Sequence, residues 1–492
     1  MKETKGKGKY EGKGFLFLAG VLLLVAIGIV VGRLLFPAVI LDYYTLGVEA
    51  KQNSKYGEAY YYLNKAIETD PPFADAYTAL AEILTVKGRA IEAIPLLERG
   101  LDVVSTPSAL RKSLMPLYLS DKEYSKQQEN LLALLADTSD SREKAEYTYS
   151  LGIAYLRALK LSEARDSFKQ VIDKYSGTEW YYRAGLELSL FSIEEETTRN
   201  AMLAIAKDPL SPVIAEATKI EDKLAKAQQA EERSDEGQMW GWYGVLMLEQ
   251  DRCELSEDYF LNGIEEGDKF GIHAGIHGYY GECLRRLGRN SEALTQVDTA
   301  LSADPLLMSA WETKAATCNV LENTTCADEA YAKLTTVDPT NTDYLNDYSS
   351  YLLQHDRDAE ALVVIEKTFQ YTEEANKATL ADSILSLMFL LQTGYDRAPQ
   401  YIAALDSASS AYYDYSGWLM YITEGSGQTE LSTALELDPF NASACYHYAE
   451  MLFTEGGRAQ ALEYAYKAID YDFSGKIGEK ANQLIEKIEN RA

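Results

Sequence analysis

Apolar positions along this chain fall into two regimes. From Phe15 to Gly32 runs an uncharged stretch, FLFLAGVLLLVAIGIVVG, followed by Arg33 and a second apolar stretch that ends before Asp42. A helix needs about 20 apolar residues to cross the hydrocarbon core of a bilayer, and an arginine near its end can extend its head group to the interface. The run is long for the apolar region of a signal peptide, and no Ala-x-Ala cleavage site follows it. The pattern predicts an uncleaved transmembrane anchor over 15–41; a cleaved signal and a buried soluble helix are the competing readings.

Beyond residue 42 the pattern becomes periodic. Ala59 and Ala93 are 34 residues apart, Ala293, Ala327 and Ala361 repeat that interval twice, and Pro305 and Pro339 share it. Such a period is the mark of small stacked units, each of which buries its apolar face only against the next. Between Pro212 and Gln238 a charged, Ala-rich segment lacks the recurrence and reads as a long helix joining two sub-arrays. At the other end, Ile477, Ala481, Leu484, Ile485 and Ile488 give an amphipathic helix suited to covering the last unit. The expected organisation is a basic tail (1–14), the anchor (15–41), an N-terminal array (42–211), a connecting helix (212–236), a C-terminal array (237–475) and a capping helix (476–492).

The residues at these intervals resemble the tetratricopeptide repeat, a family of 34-residue helix-turn-helix units. In unit 308–341 Trp311, Ala315, Cys318, Ala327, Tyr331 and Pro339 stand at the fourth, eighth, eleventh, twentieth, twenty-fourth and thirty-second positions of that pattern. Unit 274–307 offers His277, Gly281, Leu284, Ala293, Val297 and Pro305 in the same places. Further units fit at 40–73, 74–107, 145–178, 237–270, 342–375 and 442–475, whereas 108–144, 376–407 and 408–441 are degenerate. The resemblance implies an all-α solenoid of helical hairpins. In that pattern only a small residue fits where the two helices of a hairpin cross, and Asp-Pro, as at Asp304-Pro305 and Asp338-Pro339, separates one hairpin from the next.

Charge narrows the partners. The chain carries 76 acidic against 47 basic residues, a net charge of −29. A body this acidic repels phosphate backbones, which argues against nucleic acid. Lys2, Lys5, Lys7, Lys9 and Lys13 precede the apolar run, so the positive-inside rule keeps the N-terminus in the cytoplasm and sends the repeats across the membrane. Tyrosine outnumbers phenylalanine 36 to 13, a bias suited to half-buried rings whose hydroxyls keep a polar contact.

Candidate chemistry is sparse. The chain has no phosphate-binding Gly-rich loop, no nucleophile-elbow serine and no CxxC pair. No catalytic, cofactor-binding or metal-binding residue is expected, and no small-molecule substrate. His273 and His277 lie four apart, but HAGIH lacks the glutamate of a zinc-protease helix. The segment from Asp470 to Ala481 begins like a calcium loop, with Asp470, Asp472 and Ser474 at ligand spacing, yet Ala481 stands where the closing carboxylate belongs. Asn323-Thr324-Thr325 and Asn441-Ala442-Ser443 match the glycosylation pattern.

Two expectations depend on the resemblance. In an oxidising compartment, hairpin geometry would allow Cys318 to pair with Cys326 across one turn, and Cys253 with Cys283 between neighbouring helices; the alternative is that these are small core residues. In the family the first helix of each unit lines the inner face. Its second, fifth, ninth and twelfth residues here include Tyr44, Glu82, Tyr149 and Glu282, and further along Glu312, Asn346, Tyr446 and Glu450. The Lys/Asn arrangement by which some relatives grip a C-terminal carboxylate is absent from those places. An acidic, tyrosine-lined groove suits a basic or amphipathic protein segment, unless that face is merely solvated. The expected function is a membrane-anchored scaffold or assembly factor that binds partner proteins. A permanent subunit of an envelope complex and a cytoplasmic-facing adaptor are the alternatives.

Overall fold

The computed structural model describes residues 43–53, 55–267, 273–472 and 475–490. The expected tail and anchor, 1–14 and 15–41, lie outside the described residues. Among the described residues there is no strand, and no helix is long and apolar enough to cross a membrane.

Residues 43–52 (α1) and Tyr56–Thr69 (α2) begin the array. After them come α3 (Ala74–Val86) with α4 (Ala90–Val103), then α5 (Ser108–Ser120) and α6 (Tyr124–Asp137). Next are α7 (Ser141–Arg157) with α8 (Leu161–Lys174), and α9 (Glu179–Phe191) with α10 (Glu196–Ala206). A 19-residue helix, α11 (Ile214–Glu232), follows and packs on α12 through a face that buries Ala217, Ile220, Ala227 and Ala230. Helix α12 (Glu236–Glu249) pairs with α13 (Glu257–Gly267), α14 (Ala274–Arg286) with α15 (Asn290–Ala303), and α16 (Met308–Val320) with α17 (Thr324–Val337). Then α18 (Thr342–Gln354) pairs with α19 (Asp358–Tyr371), α20 (Lys377–Leu391) with the short α21 (Ala398–Ile402), and α22 (Ser410–Glu424) with α23 (Gln428–Leu437). Finally α24 (Ala442–Thr454) pairs with α25 (Arg458–Tyr471), and α26 (Lys476–Asn490) lies over α25 with Ala481, Leu484, Ile485 and Ile488 buried. The fold is an all-helical array of tetratricopeptide-like hairpins.

One contact recurs from hairpin to hairpin. Gly47, Gly152, Gly244 and Gly281 are eighth in their units, and each faces the large residue at the twenty-fourth position. A Cβ added to them would stand 2.7 Å from Leu63, 2.6 Å from Phe168, 2.6 Å from Phe260 and 2.6 Å from Val297. The twentieth-position alanines, Ala59, Ala93, Ala164, Ala293, Ala327, Ala361 and Ala461, are all fully buried. Small residues at the crossing let the first helix settle onto the ring or branched side chain of the second. The turn inside a hairpin takes a left-handed residue, which Gly88 and Gly288 supply freely and which Leu159 and Asp251 adopt at φ 59° and 56°. Between hairpins, Asp208, Asp304 and Asp438 each accept a hydrogen bond from the backbone N–H two residues on, at 2.8, 2.9 and 3.0 Å. An Asp-Pro pair therefore both stops one helix and turns the chain toward the next.

The described residues divide into two compact units, one drawn from residues 43–117 with 438–490 and the other from residues 118–437. The stretch 212–236 lies inside the second. In the first, α2 packs on α25, and Tyr61 stands 5.8 Å from Phe440 and 5.4 Å from Tyr471 between ring centroids. Tyr62 also meets Phe440, and Gly57 lies under the Phe440 carbonyl, 3.2 Å from an added Cβ.

These contacts predict opposite outcomes for two glycine substitutions. Gly152→Ala drives a methyl into the buried Phe168 ring and should lower the unfolding free energy by about 1–3 kcal/mol, the usual cost of overpacking. Gly275→Ala, whose nearest neighbour is the Tyr279 ring at 4.0 Å, should be neutral or slightly stabilising because it restricts the unfolded backbone. Urea midpoints for both variants check this, and equal losses would mean that the crossing does not set the packing.

Candidate functional site

Acidic residues so outnumber basic ones that many carboxylates take another donor, and tyrosine is a recurrent one. Three of these pairs are completed by an arginine. The Tyr149 hydroxyl donates to Glu187 at 2.9 Å, and Arg252 grips the same carboxylate with its Nε at 2.6 Å. Tyr280 donates to Glu257 at 3.0 Å, and Arg289 to the same oxygen at 2.6 Å. Tyr401 donates to Glu366 at 3.0 Å, again on an oxygen that also accepts from Arg397 at 3.0 Å. Charge-assisted bonds of this type are about twice as strong as neutral ones. Burial, followed by the bond to Glu257, pushes the Tyr280 phenol up to about 12.

The first triad belongs to a wider network inside the second unit. Arg157, at the end of α7, pairs with Asp251 and, at 2.8 Å, with Glu254. Asp251 also meets Arg286 of α14 at 3.2 Å, and Lys122 donates to the Arg286 carbonyl at 3.5 Å. Glu282 accepts from Arg285 and Arg286, each at 2.8 Å, and from Thr313 of α16 at 3.3 Å. Burial alone would raise the Glu282 carboxyl, but the two arginines outweigh it and hold the group below its ordinary value. Two of the expected groove residues, Tyr149 and Glu282, are thus committed to partners within the chain.

Glu312 and Asn346 are placed differently. Both are exposed, on α16 and α18 of the same unit. The Tyr344 phenol is hydrogen-bonded to Glu312, which with burial pushes it up to about 12. Asp343 and Asp347 follow each other at a four-residue interval on α18, where like charges repel. Burial and then Asp343 raise the Asp347 carboxyl above its ordinary value. Among the described residues no lysine or arginine forms an ion pair with Glu312, Asp343 or Asp347.

The other four groove residues lie in the first unit. The Tyr44 ring meets the Phe73 ring edge-on at 4.9 Å, and Glu82 forms an ion pair with Lys51. On α24 the half-buried Tyr446 is hydrogen-bonded to Glu450, and burial raises its phenol well above the ordinary value. Eight residues expected on one face are therefore shared between two units.

The remaining sequence signals resolve locally. His277 is buried, its Nδ1 2.6 Å from Gln296. The Asp472 carboxylate accepts from the Gly478 N–H at 2.6 Å, at the start of α26. Asn323 and Asn441 act as helix caps for α17 and α24. The structure brings Cys253 and Cys283 together with Cα atoms 5.1 Å apart, and Cys318 and Cys326 at 5.7 Å, each pair as a disulfide. Sequence reasoning missed Arg157, Glu187, Asp251, Arg252 and Glu254. A signal existed for Glu187, a lone acid in the apolar run LELSLF of α9 that is 2% exposed.

No protein-family model matches the chain, and no curated protein does. Among solved structures it is similar to yeast Tom70, at 13% identity over 92% of this chain and 96% of that one, with a TM-score of 0.31. It is also similar to the APC/C hetero-tetramer Cut9-Hcn1 (14%, 91% and 96%, TM-score 0.26) and to the TPR domain of P58(IPK) (13%, 92% and 98%, TM-score 0.18). Likeness at these scores carries no argument; the hairpin reading stands on the chain's own crossings.

The tyrosine–carboxylate pairs give the protein an alkaline limit. A phenol whose folded pKa is raised contributes stability that is fully present below its ordinary value and lost as pH rises through the folded value. For Tyr280 that window runs from 10.0 to about 12. Unfolding free energy should fall across it, and Tyr280→Phe should make the fall shallower. Superimposable alkaline limbs for the two proteins would remove the assignment.

Proposed function

We propose that this chain is a membrane-tethered scaffold that holds a partner protein by a basic segment, seated on the strip formed by Glu312, Asp343, Tyr344 and Asp347. The supporting observation is the contrast between Tyr344–Glu312 and the three completed triads. Where Arg252, Arg289 and Arg397 each add a guanidinium to a tyrosine–carboxylate pair, Tyr344–Glu312 has none among the described residues. An arginine from a partner would supply the same third group and relieve the repulsion between Asp343 and Asp347. Electrostatic complementarity of this kind speeds encounter and selects basic partners.

The tether is the apolar run over 15–41, and the lysines before it favour a translocated repeat body. Such a body would meet an oxidising compartment, with which two cysteine pairs are compatible. A second reading is a permanent subunit of an envelope complex that uses the outer surface. Leu210, Leu306 and Val363, exposed at 82%, 68% and 65%, favour it, as does the internal use of Tyr149 and Glu282.

Binding of an arginine-rich peptide to the full-length protein tests the first reading. The combined variant Glu312→Gln, Asp343→Asn, Asp347→Asn should weaken binding by about tenfold or more and flatten its salt dependence. If that variant keeps its partners in membrane pull-downs while Leu210→Ser or Leu306→Ser releases them, the envelope-subunit reading replaces it. Labelling of the repeats on intact cells by a membrane-impermeant reagent checks the orientation; protection until lysis would make the protein a cytoplasmic-facing adaptor.

A further inference from the structure

Four consecutive residues, Asp251, Arg252, Cys253 and Glu254, lie in the seven-residue connection from α12 to α13, and three of them are members of the charge network. Arg252 reaches Glu187 on α9, while Asp251 and Glu254 reach Arg157 on α7. The fourth, Cys253, is bonded to Cys283 of α14. Cys283 itself follows Glu282, which Arg285 and Arg286 hold. Both sulfurs are therefore embedded in the sequence of the network, and both are buried, at 1% and 0% exposure.

Backbone bonds from the Asp251 N–H to Leu248, from the Arg252 N–H to Met247 and from the Leu255 N–H to Arg252 shape this joint, but none of them reaches α7 or α9. Asp251 is left-handed and the only regular structure is a three-residue turn, Cys253–Leu255. Yet the ion pairs it carries are among the most enclosed in the unit: Glu187 and Glu254 have side chains 2% and 3% exposed. Such pairs stabilise only while their geometry is held, because a displaced partner leaves an uncompensated charge out of water. The joint's own backbone bonds stay within it or run to α12 and α13, so the Cys253–Cys283 bond is its covalent tie to α14.

We infer that the Cys253–Cys283 bond is the lock of this network, so that its oxidation state sets how firmly α7 and α9 are held to α12 and α14. Neither α7 nor α9 contains a cysteine, so the effect acts at a distance through Arg157 and Glu187. Forming the bond takes two electrons and two protons from the thiols to an oxidant, and a dithiol such as dithiothreitol returns them as it closes to its own disulfide. The Cys318–Cys326 bond closes a separation of 8 residues across one turn against 30 for the lock. Ion pairs to α7 and α9 do not pass through it, which makes it an internal control.

Hydrogen exchange on the full-length protein, read peptide by peptide, tests the lock. The double variant Cys253→Ser, Cys283→Ser should raise exchange in α7 and α9 by about tenfold or more. Arg252→Gln should raise exchange in α9, and adding it to the serine pair should give little further change, as expected of coupled residues. The variant Cys318→Ser, Cys326→Ser should raise exchange only around α16 and α17. If the serine pair does not fold, wild-type protein reduced with dithiothreitol provides the same reading. Unchanged protection of α7 and α9 after loss of the bond, or strictly additive effects with Arg252→Gln, would overturn the inference.

Discussion

The fold depends on a single steric requirement, repeated along the chain: where two helices of a hairpin cross, one side must have almost no side chain. Gly152 under Phe168 and Gly244 under Phe260 meet it with rings, and Gly281 under Val297 with a branched residue. Close approach brings the twentieth-position alanines into full burial and fixes the hairpin angle. That angle decides which residues of each first helix face inward, so the location of every polar contact on that face follows from it. Nothing comparable in sequence is needed elsewhere on the helices, which explains how the outer positions can be so strongly acidic.

Acidity creates the second constraint. With 76 acidic and 47 basic residues, many carboxylates that approach the core cannot have a cation of their own. Tyrosine fills the gap because it adds apolar area and one neutral donor in the same side chain. Arginine makes local pairs along single helices as well, and around Asp251 it joins several hairpins. Pairing with carboxylates is thus one use of the excess of tyrosine over phenylalanine.

How far the sequence could be read follows from the same two constraints. The hairpins at 274–341 were legible because small and large positions recur in phase. Those at 376–441 were not: α21 has only five residues and α23 ten, so the second helices meet their partners out of the 34-residue phase. Gly417, for instance, lies 2.8 Å from the Leu431 backbone nitrogen, counted from an added Cβ. The inner-face residues were legible as positions but not as contacts. Whether Glu282 or Glu312 is free depends on arginines and tyrosines whose reach is set by the fold: Arg157 finds Asp251 across 94 residues, a relation no local pattern encodes.

The pairing of α2 with α25 has a consequence for how the protein is made. The unit of residues 118–437 is continuous and can assemble hairpin by hairpin as it leaves the ribosome. The other unit cannot. Tyr61 and Tyr62 wait, with apolar faces uncovered, until Phe440 and Tyr471 have been synthesised. Closing so long a loop adds little to the equilibrium cost, which grows only logarithmically with length, but it delays the contact. During that delay the early tyrosines are open to wrong partners, and a chaperone that shields them would act before the last two hairpin helices emerge.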